Sequence, residues 1–134
     1  AAGRHLLSLP GCTSRTYGVV GFCMGGALAQ YAATRDPKVG AAVSFYGGFK
    51  KVPLAWESLS GPILLIYGAE DQGVPASEAA PLEAKLKALG KQVETVVYPG
   101  AGHGFFNDTR PVHHPPSAAD AWKRTLALFR ASLV

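Results

Sequence analysis

Between Pro62 and Gly68 every residue of Ile63-Leu64-Leu65-Ile66-Tyr67 is apolar, and this run constrains the fold more than any other stretch. A strand with one wet face alternates apolar and polar residues. A strand without alternation needs cover on both faces, most often from helices on either side of a parallel sheet. The rest of the chain supplies the other parts of such a sheet. Residues 15–21 are β-prone and end in Gly21, and the helix formers of 27–33 follow and stop near Asp36-Pro37. Residues 39–46 read as a buried strand closed by Gly47-Gly48. A helix is predicted over about 77–89, with Leu82, Leu86 and Leu89 on one face, Glu83 placed to pair with Lys87, and Gly90 at its end. Pro81 places the regular part of that helix after it. Residues 92–98 form a fourth strand, and Ser117 with Asp120 resembles a capping box opening a helix to about Ser132, with Trp122, Leu126 and Phe129 as its apolar stripe. Residues 49–61 are expected to form a loop or a short helix around Trp56. The pattern is α/β, with four mainly parallel strands under covering helices in a single domain spanning 1–134.

Composition narrows the function classes. Of the 134 residues 48% are apolar and 16% charged, which suits a buried core, and the glycines and prolines fall singly at turns. The net charge of +4 is spread over Lys50-Lys51, Lys85, Lys87, Lys91 and Lys123-Arg124 instead of forming the basic stripe of a nucleic-acid binder. No run approaches the ~18 apolar residues of a membrane span. Cys12 and Cys23 form no CxxC pair, so disulfide and zinc frameworks are not expected, and free thiols suit a cytoplasmic setting. His113-His114 are adjacent and diverge, which argues against a metal site. His5 falls on an exposed terminal helix, and Cys12 reads as inert.

Chemistry concentrates at Gly21-Phe22-Cys23-Met24-Gly25-Gly26, where the first strand meets the first helix. A nucleophile at the apex of a sharp strand-to-helix turn needs very small residues two before and two after it, and Gly21 and Gly25 stand there. The Met24 backbone N–H would face a reacting carbonyl oxygen, and the helix start would favour a thiolate. A buried cysteine among glycines is also commonly plain packing. Such a nucleophile requires an imidazole base and an orienting carboxylate, which in α/β-hydrolases follow in the order nucleophile, acid, base. Asp71 follows the strand at 63–67 and His103 follows the strand at 92–98, both at the sheet's carboxyl edge. Glu70 is the alternative acid; Asp71 is preferred because it begins the turn toward Val74-Pro75.

GFCMGG, SFYGG, YGAEDQGVP and YPGAGHGFFND, in this order and spacing, resemble the dienelactone hydrolase (carboxymethylenebutenolidase) family from about Thr16 to the chain's end. The resemblance implies the C-terminal half of an α/β-hydrolase fold and a cysteine hydrolase that cleaves small esters or (dien)lactones through an acyl-thioester. It implies Cys23, Asp71 and His103 as the catalytic triad, Met24 as oxyanion donor, and neither metal nor organic cofactor. Tyr46 and Asn107 become the candidate substrate-binding residues. Dienelactone hydrolases carry an arginine for the substrate carboxylate at the position of Asn107; Arg110 is nearby on what would be a different loop path. Family members are longer and begin with further strands that carry a second oxyanion donor, a glutamate and another arginine. The chain is therefore expected to be a fragment, weak or inactive alone, whose strand 16–20 exposes an edge open to association. Two other classes share parts of the pattern. Cysteine-elbow amidotransferases place a His-x-Glu pair after the nucleophile, and none occurs here. A binding module of the same fold would leave Cys23 unreactive toward acyl probes.

Overall fold

The computed structural model describes residues 2–48 and 52–133. Four strands, β1 (Tyr17–Phe22), β2 (Val39–Phe45), β3 (Ile63–Gly68) and β4 (Val93–Tyr98), lie side by side in that order, and every neighbouring pair is parallel. Helix α1 (Ala2–Leu7) precedes β1, and α2 (Met24–Ala33), α3 (Ala79–Ala88) and α4 (Pro115–Ser132) follow β1, β3 and β4. The expected α/β class, with four parallel strands, is what the chain adopts. A short 3-10 turn at Trp56–Ser58 occupies the segment read as loop or short helix; Phe49, Lys50 and Lys51 at its start lie outside the described residues.

The uninterrupted apolar run of β3 is covered on both faces. Ile63, Leu65 and Tyr67 join Val39, Trp56 and Leu86 in one cluster, while Leu64 and Ile66 join Val43, Phe45, Phe105 and Ala121 in the other. Period-two alternation along the strand thus divides one sequence run between two cores. α2 and α3 cover the first face through Ala33, Ala79 and Leu86, and α4 covers the second through Ala121.

Four sequence expectations change in detail. α3 begins at Ala79, ahead of Pro81, because a proline in the first turn lacks only an N–H that has no partner there. Its apolar face is centred on Ala79 and Leu86, with Leu89 turned partly to solvent; the Glu83–Lys87 pair forms, and Gly90 closes the helix at φ +72°. α4 begins at Pro115 with His114 as its cap, so Ser117 lies inside the helix, buried, and is not the cap. The buried face of α4 is Ser117, Ala118, Ala121 and Thr125, small residues that allow close approach; Phe129 of the expected stripe packs partly buried against the same core, whereas Trp122 is 40% exposed. Periodicity alone pointed to the large residues because it does not report how near a helix lies to its sheet.

Among the described residues β1 pairs with β2 alone, and Val20 and Phe22 on it are more than a third exposed. Among the described residues no helix is long and apolar enough to cross a membrane.

Candidate active site

The backbone at Cys23 leaves the ordinary regions. With φ 56° and ψ −122° it turns β1 sharply into α2 and holds the thiol exposed at the sheet's carboxyl edge. The Cys23 N–H donates to the Phe45 carbonyl at 3.0 Å and its own carbonyl accepts from Ala27 at 3.2 Å, so the turn is pinned to β2 and to the helix. A Cβ on Gly21 would lie 1.9 Å from the Gly25 carbonyl oxygen, and one on Gly26 would lie 2.7 Å from the Phe45 oxygen. A Cβ on Gly25 would meet nothing within 4 Å outside its own helix. The steric demand for glycine therefore falls on Gly21 and Gly26, not on the Gly21–Gly25 pair read from the sequence.

The loops after β3 and β4 are joined to each other. Ala69 and Glu70 donate backbone N–H groups to the Tyr98 and Ala101 carbonyls, each at 2.9 Å, and Gly68 passes so near Ala101 that a Cβ would sit 2.3 Å from its oxygen. This brings Asp71 and His103 together across 32 residues of sequence. The Asp71 side chain is wholly buried; one oxygen accepts the Gly73 and Val74 N–H groups at 2.7 and 2.9 Å, and the other faces His103 Nδ1 at 2.8 Å. Glu70 points to solvent. His103 Nε2 in turn lies 3.0 Å from Cys23 Sγ. A carboxylate can only accept, so Nδ1 carries a hydrogen and Nε2 faces the thiol.

These contacts favour charge separation. The hydrogen bond to His103 pulls the Cys23 thiol below its ordinary range; burial opposes this, and the Met24 backbone N–H adds to it. For His103 burial acts downward, but the hydrogen bonds to Cys23 and Asp71 prevail and raise it. The two groups shift in opposite directions, as partners in a thiolate–imidazolium pair do.

A cleft of about 650 Å³ opens over the thiol, lined by Phe22, Tyr46, Phe106 and Val112 on its apolar walls and by Asn107, Asp108 and Arg110 on its polar side. Tyr46 has an unusual backbone of its own, φ 39°, and its ring centroid is 5.0 Å from that of His103. Burial, above all, pushes its hydroxyl up to about 12, so it stays a proton donor at neutral pH. Asn107 lies in the cleft, but its side-chain oxygen accepts from Thr109 N–H at 3.0 Å and from the Thr109 hydroxyl at 2.7 Å. Arg110 reaches the same cleft through successive turns, Asn107 N–H to Gly104 and Arg110 N–H to Asn107. Among the described residues it forms no ion pair. The sequence offered Arg110 only on condition of a different loop path, and these turns supply it; spacing gave no sign of the wall formed by Phe22 and Phe106, whose centroids are 5.0 Å apart. Among the described residues no group of three or more His, Cys, Asp or Glu side chains could hold a metal ion. His113 and His114 turn to different partners, and His5 is exposed on α1.

The model of the Dienelactone hydrolase family matches residues 1–133. The chain belongs to the dienelactone hydrolase family. A Yersinia pestis protein named "Putative carboxymethylenebutenolidase" is 37% identical over 93% of this chain and 50% of its own length. A Saccharolobus solfataricus protein of the same name is 40% identical over 83% of this chain and 42% of its own. A crystal structure described as a "Putative Dienelactone Hydrolase" from Klebsiella pneumoniae superposes with a TM-score of 0.76 at 36% identity, over 83% of this chain and 50% of that one. The chain thus spans about half the length of these dienelactone hydrolase relatives and shares their α/β-hydrolase fold.

Proposed function

We propose that this chain carries the acyl-transfer centre of a hydrolase for small esters or lactones, with Cys23 as nucleophile, His103 as base and Asp71 as its orienting acid. The observation that carries the reading is the unbroken relay of 3.0 and 2.8 Å contacts from Sγ through the imidazole to a buried carboxylate, mounted on a strained elbow. Membership of the dienelactone hydrolase family supports this reaction class.

In the first half-reaction the Cys23 proton passes to His103 Nε2 and the sulfur attacks the substrate carbonyl carbon. The Met24 N–H, at the start of α2, stabilises the resulting oxyanion. Collapse breaks the bond to the leaving oxygen, which takes the proton from His103, and an acyl-thioester remains. For a lactone the leaving alkoxide or enolate stays attached to the acyl group. Water then gives its proton to Nε2, attacks the thioester, and releases the acid with the thiol restored. Asp71 holds the imidazole with Nδ1 protonated through both halves. Tyr46 lines the cleft beside His103, and in this reading its hydroxyl donates to a substrate oxygen.

Arg110 is the cation of the cleft, and the Asn107 oxygen is already spent on Thr109, so Arg110 is the better anchor for an anionic substrate group. Hydrolysis of p-nitrophenyl esters with and without a distal carboxylate tests both parts. Cys23→Ala is expected to abolish turnover of each ester. Arg110→Ala is expected to raise KM about tenfold for the carboxylated ester alone. Turnover that survives in Cys23→Ala contradicts the nucleophile, and an equal effect of Arg110→Ala on both esters contradicts the anchor.

A further inference from the structure

His113 and His114 stand outside the relay, yet both converge on one peptide of the loop that carries it. The Phe105 carbonyl accepts the His114 backbone N–H at 2.9 Å and faces His113 Nδ1 at 3.1 Å. Because a carbonyl oxygen only accepts, the neutral His113 ring keeps its hydrogen on Nδ1, and the protonated ring has one there as well. The tie therefore holds in both charge states. Phe105 is fully buried, its ring 5.5 Å from that of Tyr46 and 5.6 Å from that of Tyr98. Between this fixed residue and His103 stands only Gly104, at φ +85°. The other end of the clasp is equally anchored. The His114 ring meets the buried Ser117 hydroxyl at 2.7 Å, and the His114 carbonyl accepts the Ala118 N–H at 3.0 Å in the first turn of α4. His113 N–H bonds to the Arg110 carbonyl at 3.0 Å, so the same residue also closes the cleft-lining segment.

We propose that His113 is a positioning residue for the His103 imidazole: its Nδ1–H, by holding the Phe105 carbonyl, sets the loop conformation from which His103 reaches the Cys23 thiol. It touches none of the reacting atoms and acts on His103 through one peptide and one glycine. The proposal rests on the Cys23–His103 reading above. It assigns His113 a task that a mere surface tie would not have, namely control of how tightly imidazole and thiol are coupled.

The rate of alkylation by iodoacetamide, followed against pH in the whole chain, reads that coupling directly. A Cys12→Ser background leaves Cys23 as the single thiol. The parent inflection is expected below the ordinary thiol value of about 8.5, and His103→Ala is expected to return it there. His113→Ala is expected to raise the inflection by about half a unit or more, roughly a threefold loss of thiolate at any pH below the inflection. His113→Asn, whose amide nitrogen takes the place of Nδ1, is expected to restore the parent curve. A parent inflection at the ordinary value contradicts the Cys23–His103 reading itself. A low parent inflection that His113→Ala leaves in place overturns the positioning role alone, as does an Asn variant shifted as far as the Ala variant. An arm without mutation covers the case in which His113→Ala does not fold. Nitrogen-15 NMR of the histidines is expected to show neutral His113 with its hydrogen on Nδ1, and the Nε2–H tautomer overturns the proposal.

Discussion

Asp71 and Gly21 are the two positions where single atoms decide most. Asp71→Asn preserves shape, but an amide nitrogen in place of the acceptor oxygen would favour the wrong imidazole tautomer. We expect kcat to fall on the order of 10³–10⁴-fold while KM changes little, measured by steady-state ester hydrolysis. The pH dependence has a definite sign. Cys23 is held below its ordinary range, so reactivity is present above that lowered value and is lost as pH falls through it. The raised His103 keeps the imidazolium partner to a higher pH than a free imidazole would. At the elbow, Gly21→Ala would drive a methyl to 1.9 Å from a backbone oxygen, with no flexible side chain to yield. A loss on the order of 2–4 kcal/mol in denaturant unfolding is expected. Gly25→Ala meets no such neighbour and is expected to stay within about 1 kcal/mol of the parent. If both substitutions cost the same, the steric account of the elbow is wrong.

Among the elements, β3 and the two faces it separates carry the core. Leu86, fully buried on α3, packs against the Ile63–Leu65–Tyr67 face, and Leu86→Ala is expected to cost about 2–5 kcal/mol in chemical denaturation. The Arg124 contacts with Asp120 and Glu94 lie on the exposed side of α4, where screening leaves such pairs worth about 1 kcal/mol or less. The strands were legible because their signals are local: an apolar run bounded by Pro62 and Gly68, or β-branched residues ending at Gly100. The order of chemistry-bearing residues was legible too, since parallel strands deliver their following loops to one edge. Helix faces were less so. Trp122 and Leu89 fit a helical period yet stay partly exposed, because the depth of a helix on its sheet depends on partners distant in sequence. The route of residues 104–110 was hidden for a similar reason. It is set by backbone turns and by the hold of His113 and His114 on Phe105, and none of these leaves a spacing pattern.

For the molecule as a whole, the sheet ends on one side at β1, whose exposed Val20 and Phe22 border unpaired backbone. Such an edge invites another strand. We expect the 134-residue chain alone to self-associate in sedimentation velocity, and Val20→Lys to shift it toward monomer; a monomeric parent contradicts this. The same edge lies beside the cleft, because β1 leads directly into Cys23. If Met24 is the single oxyanion donor among the described residues, as proposed above, turnover is expected to be slow, since one such donor is worth about 3 kcal/mol in the transition state. Acylation is thus a more direct readout than turnover. The decisive measurement is intact-mass and peptide mapping after brief exposure of the Cys12→Ser chain to p-nitrophenyl acetate. The account predicts one acetyl group on Cys23, formed at least tenfold more slowly in His103→Ala and absent in Cys23→Ala. Acetylation that proceeds equally fast without His103, or that falls on residues outside the cleft while Cys23 stays free, would contradict it.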